Sequence, residues 1–324
     1  MDVISLGEAL IDFAPGKEEG CYVRNPGGAP ANFAVGTAKN GLDVAFLGRL
    51  GNDDFGKFMV KTMEDNHVKV LIPELLDEAV TTMAFVTLHE GGERSFTFAR
   101  KPGADMLLNV SDIREEEIKK CKLLHAGSFS MSENPSRAAT VYAMRLAHEL
   151  GKIVSFDVNY RALIWDSQEE AIAEVKKVLP YVDLLTISEE ELDFVGSEAD
   201  ILYSMGKYDI SVVVETLGAD GAKYFFNGNS GKAAVKDVHA VDKTGAGDAF
   251  WSGFVSKLML DGVTKKTDIT EEKVKSALDY GNISGTLCVQ KMGGIPALPT
   301  REDIEKLFWQ VFRERNADRL HKIM

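Results

Sequence analysis

The chain has 324 residues, 45% of them hydrophobic and 27% charged, which is enough chain and apolar surface for a large core and rules out a disordered or collagen-like polymer. A formal net charge of −13 repels nucleic acid and anionic membranes, so neither is an expected partner. Three cysteines far apart in the chain, with no CxxC pair, exclude a disulfide framework and a structural zinc site.

In chain order, Met1-Asp2-Val3-Ile4-Ser5 reaches an acidic residue at once, and no apolar run is long enough to span a bilayer. The expectation is a chain without a signal peptide in a reduced, cytoplasmic compartment. Val3–Leu6 reads as the first buried strand. Ala9–Arg24 breaks the pattern with a Pro15-Gly16 turn between short β-prone pieces. Val44–Leu47 is a second buried strand. Gly51-Asn-Asp-Asp-Phe-Gly-Lys57 comes close to P-loop spacing, but Phe58 stands where a Mg²⁺-binding Ser or Thr is needed. Its two carboxylates would also repel phosphates, so it reads as a loop entering a helix over Phe55–Glu64.

Thr81–Arg100 again looks like added strands. Met83–Leu88 and Arg94–Ala99 flank a turn at Gly91-Gly92, and Ser95-Phe-Thr-Phe98 alternates. Further apolar runs follow at Leu123–Ala126, Ile153–Phe156, Leu184–Ile187 and Val212–Val214. Amphipathic stretches such as Pro135–Leu150, Gln168–Leu179 and Glu271–Leu287 alternate with them. This alternation implies βαβ units in a doubly wound, mostly parallel α/β sheet with helices on both faces, and ligands at the carboxyl ends of its strands. The expected organisation is one domain over 1–324, with a small antiparallel flap from about 9–25 and 81–101. Arg301–Met324 reads as a solvated terminal helix.

The segment Asp242-Lys-Thr-Gly-Ala-Gly-Asp-Ala-Phe250 carries the chemistry. Ala233–Val241 before it reads as strand and Ala249–Asp261 after it as helix. Small residues at Gly245, Ala246 and Gly247 let a backbone approach a ligand, and amides at a helix start point at one anion. That suits charge building on a transferring phosphoryl group, with Asp248 beside it to accept a hydroxyl proton. Alone, the Gly-Ala-Gly run also fits a plain tight turn with Asp248 as a cap. Asp242, Thr244 and the downstream helix favour the anion site.

Asn25-Pro-Gly-Gly-Ala-Pro-Ala-Asn-Phe-Ala34 together with Asp242–Phe250 resembles the paired signatures of the ribokinase-like (PfkB) carbohydrate kinases, over about Val3 to Pro299. The resemblance implies a ribokinase-like fold with a β-strand lid over a sugar. It implies Asp248 as base, an anion hole at residues 245–247, and Asp12, Gly28 and Asn32 on sugar hydroxyls. Thr216-Leu-Gly-Ala-Asp-Gly221 is similar to the family's nucleotide loop. Thr216, Gly218, Gly221, Ser188 and Asn282 are therefore expected around ATP. Glu191 and Asn159 are expected to organise Mg²⁺ through water. Asp157-Val-Asn-Tyr-Arg161 places Asn159 and Arg161 near the transferred phosphate. Ser188 and Val158 depart from the family's usual Asn and Pro. A K⁺ ion beside Asp242, Thr244, Cys288 and Gly293 is a further family implication.

Gly7-Glu-Ala-Leu-Ile-Asp12, Arg94–Arg100 with Pro102-Gly-Ala-Asp105, and Trp165 are most similar to fructokinases. Phe96 or Phe98 is then expected against the sugar, with Arg100 reaching toward it or its phosphate. The alternatives are a 2-keto-3-deoxygluconate kinase and a non-catalytic sugar-binding regulator. The lid's edge strands make a homodimer plausible.

Overall fold

The structure is a computed structural model that describes all residues except 17, 19, 89–93, 236–237 and 310–324; of 88 and 94–96 it describes the backbone alone. In chain order the strands are β1 (Val3–Leu6), β2 (Leu10–Pro15), β3 (Tyr22–Gly27), β4 (Val44–Leu47), β5 (Val68–Val70), β6 (Met83–Leu88) and β7 (Arg94–Ala99). They continue with β8 (Leu123–Gly127), β9 (Ile153–Asp157), β10 (Leu184–Ser188), β11 (Val212–Thr216), β12 (Ala222–Phe226) and β13 (Asn229–Ala233). The α-helices are α1 (Ala29–Lys39), α2 (Asp54–Asp65), α3 (Glu115–Lys120), α4 (Ser136–Glu149), α5 (Gln168–Val178), α6 (Glu198–Tyr208), α7 (Ala246–Leu260) and α8 (Glu271–Cys288).

The large sheet has the order β13-β12-β11-β10-β9-β8-β1-β4-β5, parallel from β11 to β5, with β12 and β13 antiparallel at one edge. The alternation of side chains explains why the apolar runs are continuous. Val3, Phe46, Leu123, Ile153, Leu184 and Val212 pack on one face with Phe33 of α1, Trp251 and Phe254 of α7, and Val274 of α8. Ile4, Leu47, Leu124, Val154, Leu185 and Val213 pack on the other with Ala143 of α4, Val175 of α5 and Ile201 of α6. Each strand is buried on both sides, as parallel strands between two helical layers must be.

The P-loop look-alike is a helix entry. Asp53 Oδ1 accepts the amides of Phe55 and Gly56 at 3.0 and 2.7 Å and caps α2.

The flap is a four-stranded sheet, β3-β2-β6-β7. Here the expectation of purely antiparallel pairing is corrected. β2–β3 and β6–β7 are antiparallel, but β2 and β6 lie side by side in parallel, with Ile11 opposite Met83. Each pair runs out and back on itself, and the two outgoing strands then join. The expected turn at Gly91-Gly92 lies outside the described residues.

Two boundaries also move. Among the described residues, 234–241 hold no strand. The chain leaves the sheet at Ala233 and is tied to the end of α8, where Val241 and Asp242 donate to Val289 O at 2.7 and 3.1 Å. Helix α7 starts at Ala246, three residues before the expected Ala249, so Gly245 is its cap and Ala246, Gly247 and Asp248 belong to its first turn. Residues 301–309 are helical, and the rest of the tail lies outside the described residues. Among the described residues, no helix is long and apolar enough to cross a membrane.

Candidate active site

Two cavities, of about 290 and 250 Å³, open at the carboxyl ends of the parallel strands and share the start of α7 as a wall. The first lies under the flap. Asp12 of β2, Ala84 and Val86 of β6, and Phe98 of β7 close it from the flap side. Asn32 of α1 and Asp248 of α7 close it from the core. The second lies between the β11–β12 turn and α8, lined by Thr216, Gly218, Gly221, Phe250 and Asn282. Gly245 belongs to the first cavity, and Ala246 and Gly247 to the second.

Local chemistry explains why α1 and α7 begin where they do. Gly28 sits at φ 99° before Pro30, and a Cβ there would lie 2.7 Å from Glu8 O, so only glycine fits at this close approach. Gly245 caps α7 in the left-handed region at φ 75°, a turn that favours glycine. Ala246 N–H is engaged by Lys243 O at 3.2 Å. The amides of Gly245 and Gly247 have no acceptor among the described residues. The anion hole expected from three amides is therefore open at two.

Asp242 holds this loop in shape. Its Oδ1 accepts Thr244 N–H at 2.9 Å and the Thr244 hydroxyl at 2.7 Å, and its Oδ2 accepts Gly293 N–H at 2.9 Å. The Cys288 thiol contacts Thr244 O at 3.8 Å. Asp242, Thr244, Cys288 and Gly293 are thus brought together. The thiol is buried and pushed up to about 12, so it stays neutral there.

Asp248 Oδ2 accepts Asn32 Nδ2 at 2.7 Å. Burial raises the Asp248 carboxyl above its ordinary value, while the Asn32 hydrogen bond and the Arg161 guanidinium pull it back. Asp12 is pushed up to about 7 by burial first and then by the Asp248 charge, with Arg161 opposing. Asp157 is raised well above the carboxylate range by burial, Glu191 and Asp248. A poised carboxylate beside open helix-start amides can take a proton from a hydroxyl while the amides hold a neighbouring anion.

The other expected site residues divide into those that line a cavity and those that support one. Asn159 and Arg161 line the first cavity, and Asn159 adopts φ 37° while its amide donates to Asp157 Oδ1 at 3.1 Å. Glu191 and Ser188 line neither cavity. The Glu191 carboxylate instead accepts Ser188 N–H at 2.8 Å and Tyr160 N–H at 2.6 Å. It ties the turn after β10 to the loop that carries Asn159 and Arg161.

Arg100 also departs from expectation and does not line the cavity. Its guanidinium pairs with Asp105 at 2.7 Å, donates to Ser132 Oγ at 3.0 Å and lies 4.5 Å over the Phe129 ring. Arg100 is 7% exposed and Asp105 3%, and a buried charge of this kind is held by its counter-ion. Phe98 does line the cavity and packs edge-on to Phe129 at 5.9 Å. The Phe96 side chain lies outside the described residues.

Sequence reasoning missed Glu8 and Lys243. Glu8 lines the first cavity, is 2% exposed, accepts Ala29 N–H at 3.1 Å and is pushed up to about 8 by burial. Its signal was a single acid inside an otherwise apolar run, Ile4–Ile11.

A family described as "pfkB family carbohydrate kinase" matches residues 1–301. The chain is 37% identical over 315 residues to "Probable fructokinase-5" of Arabidopsis thaliana, covering 94% of this chain and 96% of the relative. It is similar to the solved fructokinase of Xylella fastidiosa with bound ATP, at TM-score 0.88 and 29% identity, covering 95% of this chain and 98% of that one. It is also similar to the fructokinase of Vibrio cholerae O395 in its fructose, ADP and calcium ion bound form, at TM-score 0.84 and 34% identity, covering 94% and 98%. A double mutant of the latter is known in a fructose, ADP and potassium ion bound form, at TM-score 0.85 and 34% identity, covering 94% and 97%.

Proposed function

The chain belongs to the pfkB family of carbohydrate kinases, and on that premise we propose that it transfers the γ-phosphoryl of ATP to a hydroxyl of D-fructose. The observation that carries this reading is the Asp248 carboxylate, held by Asn32 at 2.7 Å on the wall shared by two cavities. The first cavity takes the sugar and the second takes the nucleotide. Asp12, Asn32 and the backbone at Gly28 orient the sugar hydroxyls, and Phe98 covers an apolar face. Arg161 and Asn159 face the transferred phosphate. Asp248 removes the hydroxyl proton, and the amides of Gly245 and Gly247 hold the developing charge. Thr216, Gly218, Gly221 and Asn282 surround the nucleotide. Residues 1–324 act as one unit, with 9–25 and 81–101 as the lid that excludes water.

A divalent ion, Mg²⁺, accompanies ATP. Among the described residues, no group of three or more His, Cys, Asp or Glu side chains could hold a metal, which suits an ion carried largely by phosphates and water. When bound, it neutralises phosphate charge. The fructokinases solved with a calcium or a potassium ion support a bound metal ion beside the nucleotide reaction, and the K⁺ of this reading lies near the carbonyls of Asp242, Thr244, Cys288 and Gly293. A cytoplasmic setting belongs to the same reading.

Fructose is favoured over 2-keto-3-deoxygluconate by the charges of the first cavity. Asp12, Asp242 and Asp248 line it, and of the two arginines that could meet a substrate carboxylate, Arg161 lines the cavity while Arg100 is turned away to Asp105. With one of the two candidate cations withdrawn, a substrate carboxylate has fewer partners there than a neutral sugar's hydroxyls have. The deciding experiment follows ADP formation with ATP and fructose, ribose, tagatose or 2-keto-3-deoxygluconate, in K⁺ and in tetramethylammonium. The expected result is the highest kcat/KM for fructose, with turnover lower in the organic cation. A higher value for the keto acid would overturn the sugar assignment, and no ADP with any acceptor would overturn the enzyme.

A homodimer through the lid is part of the proposal, since Tyr22 and Val23 on edge strand β3 are 47% and 54% exposed. Sedimentation at assay concentrations is expected to give twice the chain mass, and a monomer there would remove this element alone.

A further inference from the structure

Lys243 is the one described residue that lines both cavities. Its backbone is fixed: its carbonyl accepts Ala246 N–H at 3.2 Å, and its neighbours Asp242 and Thr244 are bonded to one another at 2.9 and 2.7 Å. Its side chain is exposed and has no hydrogen bond or ion pair among the described residues. A pinned main chain thus carries a cation whose charge is not already matched.

The charges around it require one. Four acidic residues line the first cavity, and among the described residues the only Lys or Arg side chains in either lining are Arg161 and Lys243. Arg161 belongs to the first cavity alone and donates to Tyr160 O at 3.0 Å. A terminal phosphate moving from the second cavity to the first approaches these carboxylates as it moves. Among the described residues, Lys243 alone is a cation on both sides of the path. A flexible four-carbon stem ending in three donors suits an anion that shifts position, better than a planar fork would.

Resting on the kinase reading above, we propose that Lys243 is a catalytic residue of the transfer, its ammonium holding the phosphoryl group's charge as that group passes between the cavities. The acceptor O–H bond breaks, with its proton going to Asp248. The acceptor oxygen bonds to the γ-phosphorus as the bond from that phosphorus to the β–γ bridging oxygen breaks. The bridging oxygen leaves with the electron pair on ADP. Lys243 keeps its protons throughout and acts by charge.

The test compares wild type with K243M and K243R in turnover and in binding to sugar alone, ADP alone, and ADP with aluminium fluoride and sugar, which mimics the transfer. K243M is expected to lower kcat and weaken the aluminium fluoride complex by at least about tenfold each, the scale of losing one group that stabilises transition-state charge. Sugar and ADP binding are expected to change less than about threefold, because those ground states lack that charge. K243R is expected to recover part of both losses. Normal kcat in K243M, or equal weakening of ADP and of the mimic, would assign Lys243 to ground-state binding and overturn the proposal. Wild type without turnover on any sugar would instead remove the kinase reading, and this role with it.

Discussion

Asp248→Asn is expected to lower kcat by at least about a hundredfold, the usual scale for losing a general base. The substitution keeps the size of the side chain and an acceptor oxygen for the Asn32 amide, which now sits 2.7 Å from Asp248 Oδ2. It removes the capacity to take a proton. Fructose and nucleotide, titrated separately by calorimetry, are expected to bind nearly as in wild type. Turnover near the wild-type rate in the variant would refute Asp248 as base.

The pH dependence gives a second reading of the same residue. Burial raises Asp248, so activity is expected to fall on acidification at a pH above the ordinary aspartate range, as the base becomes protonated. Asp12, at about 7, lines the same cavity, and Asp157 and Asp242 also face this cluster, with Arg161 opposing. The acid limb of kcat/KM therefore belongs to the group rather than to one carboxylate. Residual activity of the Asn variant is expected to lose the part of that limb that Asp248 supplies.

Asp242→Ala is expected to lower kcat by at least about tenfold, because the anion loop is preorganised by this carboxylate rather than by the glycines alone. Three donors converge on it: the Thr244 amide, the Thr244 hydroxyl and the Gly293 amide. Asp242 is 6% exposed, and truncation leaves these groups without their acceptor in a poorly hydrated place. The expected stability loss is about 1–3 kcal/mol, the cost of one buried hydrogen-bonding cluster broken from one side. Denaturant melts measure the stability, and turnover at a temperature where the variant is fully folded measures the loop. A folded variant with normal kcat would show that the amides of Gly245 and Gly247 keep their aim without Asp242.

The Glu191 finding illustrates why a residue type and its place in the chain do not by themselves assign a role. Three consecutive glutamates after Ser188 mark an acidic helix start in the sequence. Which of them turns inward depends on the loop after β9, some thirty residues earlier, whose Tyr160 amide reaches Glu191 at 2.6 Å. Each of its oxygens then accepts one backbone amide, from Tyr160 and from Ser188. Arg100 is a similar case. The run Arg94–Arg100 is legible as a lid strand, but the partner of its last residue is Asp105, and their shared burial decides where the guanidinium goes.

By itself the sequence determined the elements whose information is local. Short apolar runs bounded by Gly, Asp or Ser read as strands buried on both faces, and they occupy β1, β4, β8, β9, β10 and β11 with boundaries within two residues of those expected. Small residues followed by a helical pattern marked the glycine turn that opens α7. Only the tertiary structure decided what depends on which distant segments meet. It decided the parallel junction of β2 with β6, the tie from Val241 to α8 in place of a strand, the burial of Glu8 and the position of Lys243 between two cavities. The physical reason is range: backbone preference and hydrophobic period act over a few residues, whereas the partner of a charge or an edge is chosen by whatever folding brings beside it.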